Sequence, residues 1–254
     1  MSISLTAQKN HEELWPDYKS KAQLTDPGLI EVFDNFAFDE VINHDTMDVK
    51  TRVLLIMAST IGSQALTEYK MFVNAALNVG VTPVEVKEVL YQAVPYVGIA
   101  KVIGFIYATN EIFKERDITL PLENQSTTSP ETRLDEGLAK QKEIFGNRID
   151  DMYKNSPKDL LHIQKYLSAN CFGDYITRNG LDVKIREMVT LSFLIALGGT
   201  EGQIKGHIQG NANVGNDRQT IIDLMTQLLP YVGYPRTLNA INCLNEILPY
   251  QSEK

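Results

Sequence analysis

The chain is short of several things, and each shortage removes a class of function. Two cysteines occur in 254 residues, Cys171 and Cys243, and they form no CxxC. Neither a disulfide framework nor a paired-thiol site is expected; both thiols read as small buried hydrophobes in a reducing, cytoplasmic setting. Positive charge is scarce, with 24 Lys and Arg against 32 Asp and Glu, a net charge of −8. Without excess cations a chain cannot track phosphates by counterion release, so nucleic acid is not an expected partner. No basic amphipathic segment points to a membrane surface. Long apolar runs are missing too: "VLLIMA" (53–58) and "LSFLIALGG" (191–199) are far too short to span a bilayer. The N-terminus lacks the apolar core of a secretory signal. No GxGxxG, P-loop, HExxH or GxSxG occurs, and His11, His44 and His162 lack metal-ligand spacing, so no metal site is expected.

What the chain does have is a repeat. "DVKTR" at 48–52 returns as "DVKIR" at 182–186, an offset of 134. "NVG" (78–80 and 213–215), "PYVG" (95–98 and 230–233) and "NEI" (110–112 and 245–247) return in the same order, each at 135. Such a series identifies a tandem duplication. The Ser-, Thr-, Pro- and Asn-rich stretch at 118–131 reads as a linker between a first copy over 1–117 and a second over 132–254. A helix at about 132–145 opens the second copy, while the matching region of the first, near Leu14 to Tyr18, looks abbreviated by Pro16.

Each copy has helical spacing and no convincing strand alternation, so the fold class is all-α. Thr82, Pro83 and Glu85 spell a capping box; in the second copy Asn216 and Gln219 take the corresponding places. Gly80 and Gly215 fall where a helix ends with positive φ. Pro95 and Pro230 are expected to break or kink the next segment. Gln92 and Gln227, Tyr96 and Tyr231, and Arg52 and Arg186 match between copies and read as structural.

The copies disagree where the pattern points inward. Val53, on a stripe with Val49 and Met57, is replaced by Glu187. Phe72, on a face with Tyr69, Val73 and Ala76, is replaced by His207, which shares its face with Ile204, Ile208 and Asn211. Burying either polar group alone is unfavourable by about 1–3 kcal/mol or more, whereas burying them together lets each satisfy the other. A Glu–His pair in a semi-apolar site is suited to acid–base chemistry. Taken singly, each residue also fits a structural role, Glu187 as a solvated first-turn acid and His207 as a satisfied core residue.

With "DVKIREMVTLSFLIALGG", "KGHIQGNANVG" and "LLPYVGYPRTLNA", the chain resembles the carboxymuconolactone decarboxylase family of the AhpD-like superfamily, in tandem across both copies. The resemblance implies two AhpD-like helical repeats and a homo-oligomer, a trimer being the favoured form. The superfamily's peroxidase branch needs a CxxC between its Glu and His, but those places hold Thr200 and Gln203, which cannot cycle through a disulfide. The decarboxylase branch carries H-x-x-G-x-x-N-x-G, met by His207, Gly210, Asn213 and Gly215. That reaction needs no cofactor. The resemblance therefore implies a small-molecule substrate, a lactone or oxo-acid, with His207 as proton donor or shuttle oriented by Glu187. Thr200, Gln203 and Gln209 are then expected to line the pocket, with neutral Gln209 where decarboxylases often carry an Arg suited to a substrate carboxylate. The peroxidase branch and a non-catalytic binding or scaffold role are the alternatives.

Overall fold

Apolar residues at helical spacing dictate a structure built from helices packed by their inward stripes. The computed structural model describes residues 2–16, 18 and 20–251; among these are fourteen α-helices and no strand. The first copy supplies α1 (Leu5–Leu14), α2 (Ala22–Thr25), α3 (Pro27–Asn35), α4 (Val49–Gly62), α5 (Leu66–Asn78), α6 (Pro83–Val97) and α7 (Ile99–Glu115). The second supplies α8 (Arg133–Phe145), α9 (Arg148–Asn155), α10 (Leu161–Tyr166), α11 (Val183–Leu197), α12 (Glu201–Asn213), α13 (Arg218–Val232) and α14 (Tyr234–Ile247). A wider π-helical stretch extends α3 over Phe36–Val41 and α10 over Leu167–Ile176, one in each copy.

Helix ends follow local chemistry, with three departures from the expected pattern. Thr82 and Glu85 form the capping box, Thr82 N donating to Glu85 Oε2 at 2.7 Å and Glu85 N to Thr82 Oγ1 at 3.2 Å. In the second copy the cap is Asp217, not Asn216, and Thr220, not Gln219, donates its N–H to it at 2.8 Å. The Asn216 amide is needed elsewhere, donating to Lys184 O and to Asn211 Oδ1. Pro95 and Pro230 do not break their helices. They lie in the last turn of α6 and α13, which end instead at Gly98 and Gly233, with φ of 91° and 80°. A proline that late forfeits little of the hydrogen-bond ladder, and a positive-φ glycine terminates it.

The third departure is the start of the first copy. Its opening helix is α1, capped by Ser4, and lies before Pro16. Equivalent asparagines fix the register: Asn78 Nδ2 donates to Leu14 O, as Asn213 Nδ2 donates to Ile144 O. Leu14 thus corresponds to Ile144, an offset of 130 that hides the helix from a comparison at 134. The linker is tied down, the Thr127 and Thr128 hydroxyls donating to Thr177 O and Gly173 O.

The two copies share one hydrophobic core. Helices α4 and α11 lie at its centre, buried without interruption over 53–62 and 186–196. Their approach is close: a Cβ on Gly62 would stand 2.8 Å from Ala196 Cβ and 2.9 Å from Phe193 O. Around this centre the copies exchange helices, α6 of the first packing on α11 and α13 of the second packing on α4. Gln92 accordingly reaches out of its own copy, its Nε2 donating to Arg186 O and Thr190 Oγ1. Gln227 does the reverse, donating to Val41 O and Asp45 Oδ2. Arg186, 1% exposed, donates to Glu88 and Gln92, and Arg178 holds the same Glu88.

Candidate functional site

Glu187 sits one turn into α11, and His207 in the middle of α12. Both face inward, the carboxylate fully buried and the imidazole 9% exposed. His207 Nδ1–H donates to Glu187 Oε2 at 2.8 Å. That bond fixes the tautomer and the ring plane, leaving Nε2 free of any protein partner and not sealed from solvent. Glu187 Oε1 is buried without a hydrogen-bond partner. Asn211, one turn after His207, ties the two helices together by donating to Glu187 O at 3.1 Å and His207 O at 2.8 Å.

The site is completed by the exchanged helix. Tyr96, from α6 of the first copy, meets the His207 ring edge-on at 5.8 Å, and Phe145 meets it at 5.3 Å. The Tyr96 hydroxyl is buried beside the Thr190 hydroxyl and the Cys171 thiol. Burial raises its pKa well above the ordinary value, and Cys171 and Glu187 add to the rise. It is therefore a neutral phenol beside a carboxylate. Gly210 lies beneath the pair, where a Cβ would come within 2.6 Å of Glu187 Oε2.

The structure does not gather all the residues singled out by pattern. Thr200 donates its hydroxyl to Leu194 O at 2.7 Å, closing the end of α11. Gln203 is exposed one turn before His207, on the same side of α12. Gln209 is also exposed, about 200° around the helix from His207, and its amide donates to Asn213 on its own helix. Gln209 does not join the pair. Pattern missed Tyr96 and Phe145, and placed Asn211 on the His207 face without a role. The match between Tyr96 and Tyr231 reads as structural in the sequence and gives no sign that Tyr96 meets His207. Among the described residues no three His, Cys, Asp or Glu side chains gather as a metal site requires.

At the corresponding place in the first copy stand Val53 and Phe72, both buried, with Ala75 where the second copy has Gly210. A cavity of about 800 Å³ opens there, beside Phe72 and Tyr231.

The family model for the carboxymuconolactone decarboxylase family matches twice, over residues 27–111 and 162–246. A 4-carboxymuconolactone decarboxylase of Acinetobacter baylyi is 25% identical over 118 residues, which is 46% of this chain and 87% of that protein. A crystal structure from Burkholderia xenovorans LB400, assigned by name as a gamma-carboxymuconolactone decarboxylase subunit, superposes with a TM-score of 0.52 at 20% identity. The match covers 93% of this chain and 95% of that one, a likeness of fold.

Proposed function

The chain belongs to the carboxymuconolactone decarboxylase family, and from that premise we propose that its second copy is a cofactor-independent acid–base site for a small lactone or oxo-acid, acting by decarboxylation or proton transfer. The observation that carries the reading is the 2.8 Å bond between Glu187 and His207, beside a buried carboxylate oxygen without a protein partner, Glu187 Oε1. In the decarboxylation branch the bond from substrate carbon to carboxylate breaks and carbon dioxide leaves. The electron pair remains as an enolate, and the carbon takes a proton from His207 Nε2. Glu187 stabilises the imidazolium before transfer, and solvent restores the proton afterwards. In the proton-transfer branch the same imidazole removes and returns a proton next to a carbonyl. Tyr96 supplies a hydrogen-bond donor to the developing oxyanion.

Gln203, exposed one turn from His207, is the polar residue best placed to meet a substrate. The neutral Gln209 and its outward position speak against a carboxylate clamp there. No observation favours a thiol peroxidase. Thr200 and Gln203 stand where thiols are needed, and burial pushes the Cys171 thiol up to about 12, far from a reactive thiolate. The reading extends to the homotrimer that the family resemblance implies.

The test is an assay of lactone acids for carbon dioxide release and of oxo-acids for deuterium uptake next to the carbonyl. His207→Ala and Glu187→Gln are each expected to lose roughly 10²–10⁴-fold in rate. Absence of turnover on both substrate classes, or variants equal to wild type, would sink the proposal.

A further inference from the structure

A cavity of about 800 Å³ lies at the first copy, which lacks the Glu–His pair. Five aromatic rings on its wall form a closed circuit of edge-to-face contacts. Trp15 meets Phe38 at 5.8 Å and Phe72 at 5.3 Å; Tyr231 meets Phe72 at 5.2 Å and Phe33 at 6.0 Å; Phe33 meets Phe38 at 6.0 Å. All five line the same cavity of about 800 Å³, and Tyr231 arrives on the exchanged helix α13. Trp15, Phe38 and Phe72 belong to the buried core, and all five side chains border open volume of ligand size.

The polar part of the wall carries carboxylates. Asp34 and Glu68 line the cavity together with His11 and the neutral side chains of Gln8, Gln23, Thr60 and Ser63. The register set by the two asparagines makes His11 correspond to Gln141, and the repeat's offset of 134 makes Asp34 correspond to Ser168. In the second copy these two are buried and bonded to each other at 2.6 Å. The first copy thus has titratable groups facing open volume where the second has a sealed neutral pair. His11 is held against Trp15 and Phe38 by ring contacts at 5.0 and 5.3 Å.

We infer that the cavity in the first copy is a second ligand site, formed by its aromatic side chains and its carboxylates, that takes an organic ammonium ion with apolar substituents. Aromatic rings attract a cation through their quadrupoles, and aromatic side chains beside carboxylates on one cavity wall suit an alkylated ammonium group. The same carboxylates repel a carboxylate ligand.

Trp15 is the chain's only tryptophan, so intrinsic fluorescence reads the cavity directly. The full-length protein is titrated with phenylpropyl-trimethylammonium, with its neutral tert-butyl analogue and with phenylbutyrate. Saturable change in Trp15 emission is expected for the ammonium, with affinity roughly tenfold weaker for the neutral analogue and weaker still for the carboxylate. Asp34→Asn should weaken the ammonium several-fold and leave the neutral analogue unaltered; Phe33→Leu should weaken both. Absence of saturation, equal affinity for the neutral analogue, or preference for the carboxylate overturns the inference. The three wild-type titrations decide the matter even where a variant fails to fold.

Discussion

Replacing Gly210 by alanine offers the sharpest test of how the Glu187–His207 pair is held. A Cβ at this position would stand 2.6 Å from Glu187 Oε2, 2.9 Å from Phe145 Cε1 and 3.0 Å from Ile144 Cγ2. The phenyl ring can turn aside, but Oε2 is the atom bonded to His207 and cannot yield without breaking that bond. In an open helix Gly→Ala stabilises by about 0.5–1 kcal/mol. Overpacking here costs about 1–3 kcal/mol, so a net loss of roughly 1–2 kcal/mol is expected. The first copy indicates the remedy: it carries Ala75 and Val53 at the two corresponding positions, both buried. Gly210→Ala should therefore be better tolerated in a Glu187→Val background. Urea unfolding of wild type, both single variants and the double variant gives the cycle, with a favourable coupling of about 1 kcal/mol expected. Additivity within about 0.5 kcal/mol would refute the idea that the glycine is there to make room for the carboxylate.

Two further perturbations test the frame around the sites. Glu88→Gln removes the partner of both Arg178 and Arg186, leaving two largely buried guanidinium groups. A loss of about 3–5 kcal/mol in urea unfolding is expected, and a change under 1 kcal/mol would contradict the buried network. Lys87 is 5% exposed, its ammonium donating to Asn110 and lying over the Phe113 ring. Burial lowers its pKa from 10.5 to about 8. Between those values the unfolded chain binds more protons than the folded one, so this group makes stability rise as pH increases from about 8 to 10.5. The gain is about 2–3 kcal/mol. Relative to Lys87→Met, wild type should gain that much over this window in denaturant titrations at stepped pH; parallel curves would show that the ammonium is not desolvated.

The duplication, the all-α class and the exchange of Val53 and Phe72 for Glu187 and His207 are all legible in the amino-acid order. They rest on spacing along one chain: a helix shows its buried stripe at intervals of three and four residues, and a repeat shows itself at a fixed offset. The pairing of a carboxylate with an imidazole could be anticipated because each, placed on an apolar stripe, demands a partner. Local chemistry was less decisive at helix ends. Asn216 and Asp217 are both good caps, and only the demand of Lys184 and Asn211 on the Asn216 amide selects Asp217.

Tertiary structure decided everything that depends on which helix lies against which. Tyr96 and Tyr231 match in sequence, yet each packs against the other copy, Tyr96 on His207 and Tyr231 on Phe72, because α6 and α13 cross between copies. Gln209 sits two residues from His207 in sequence and on the far side of α12 in space. The first copy, plainly apolar at the family's two polar positions, encloses the large cavity, walled by His11 and Asp34 from segments whose register slips by four residues between copies. Spacing along a chain determines which face of a helix is buried. What that face meets is set by packing among distant segments, and open volume is a property of the packed whole that no single stretch of sequence carries.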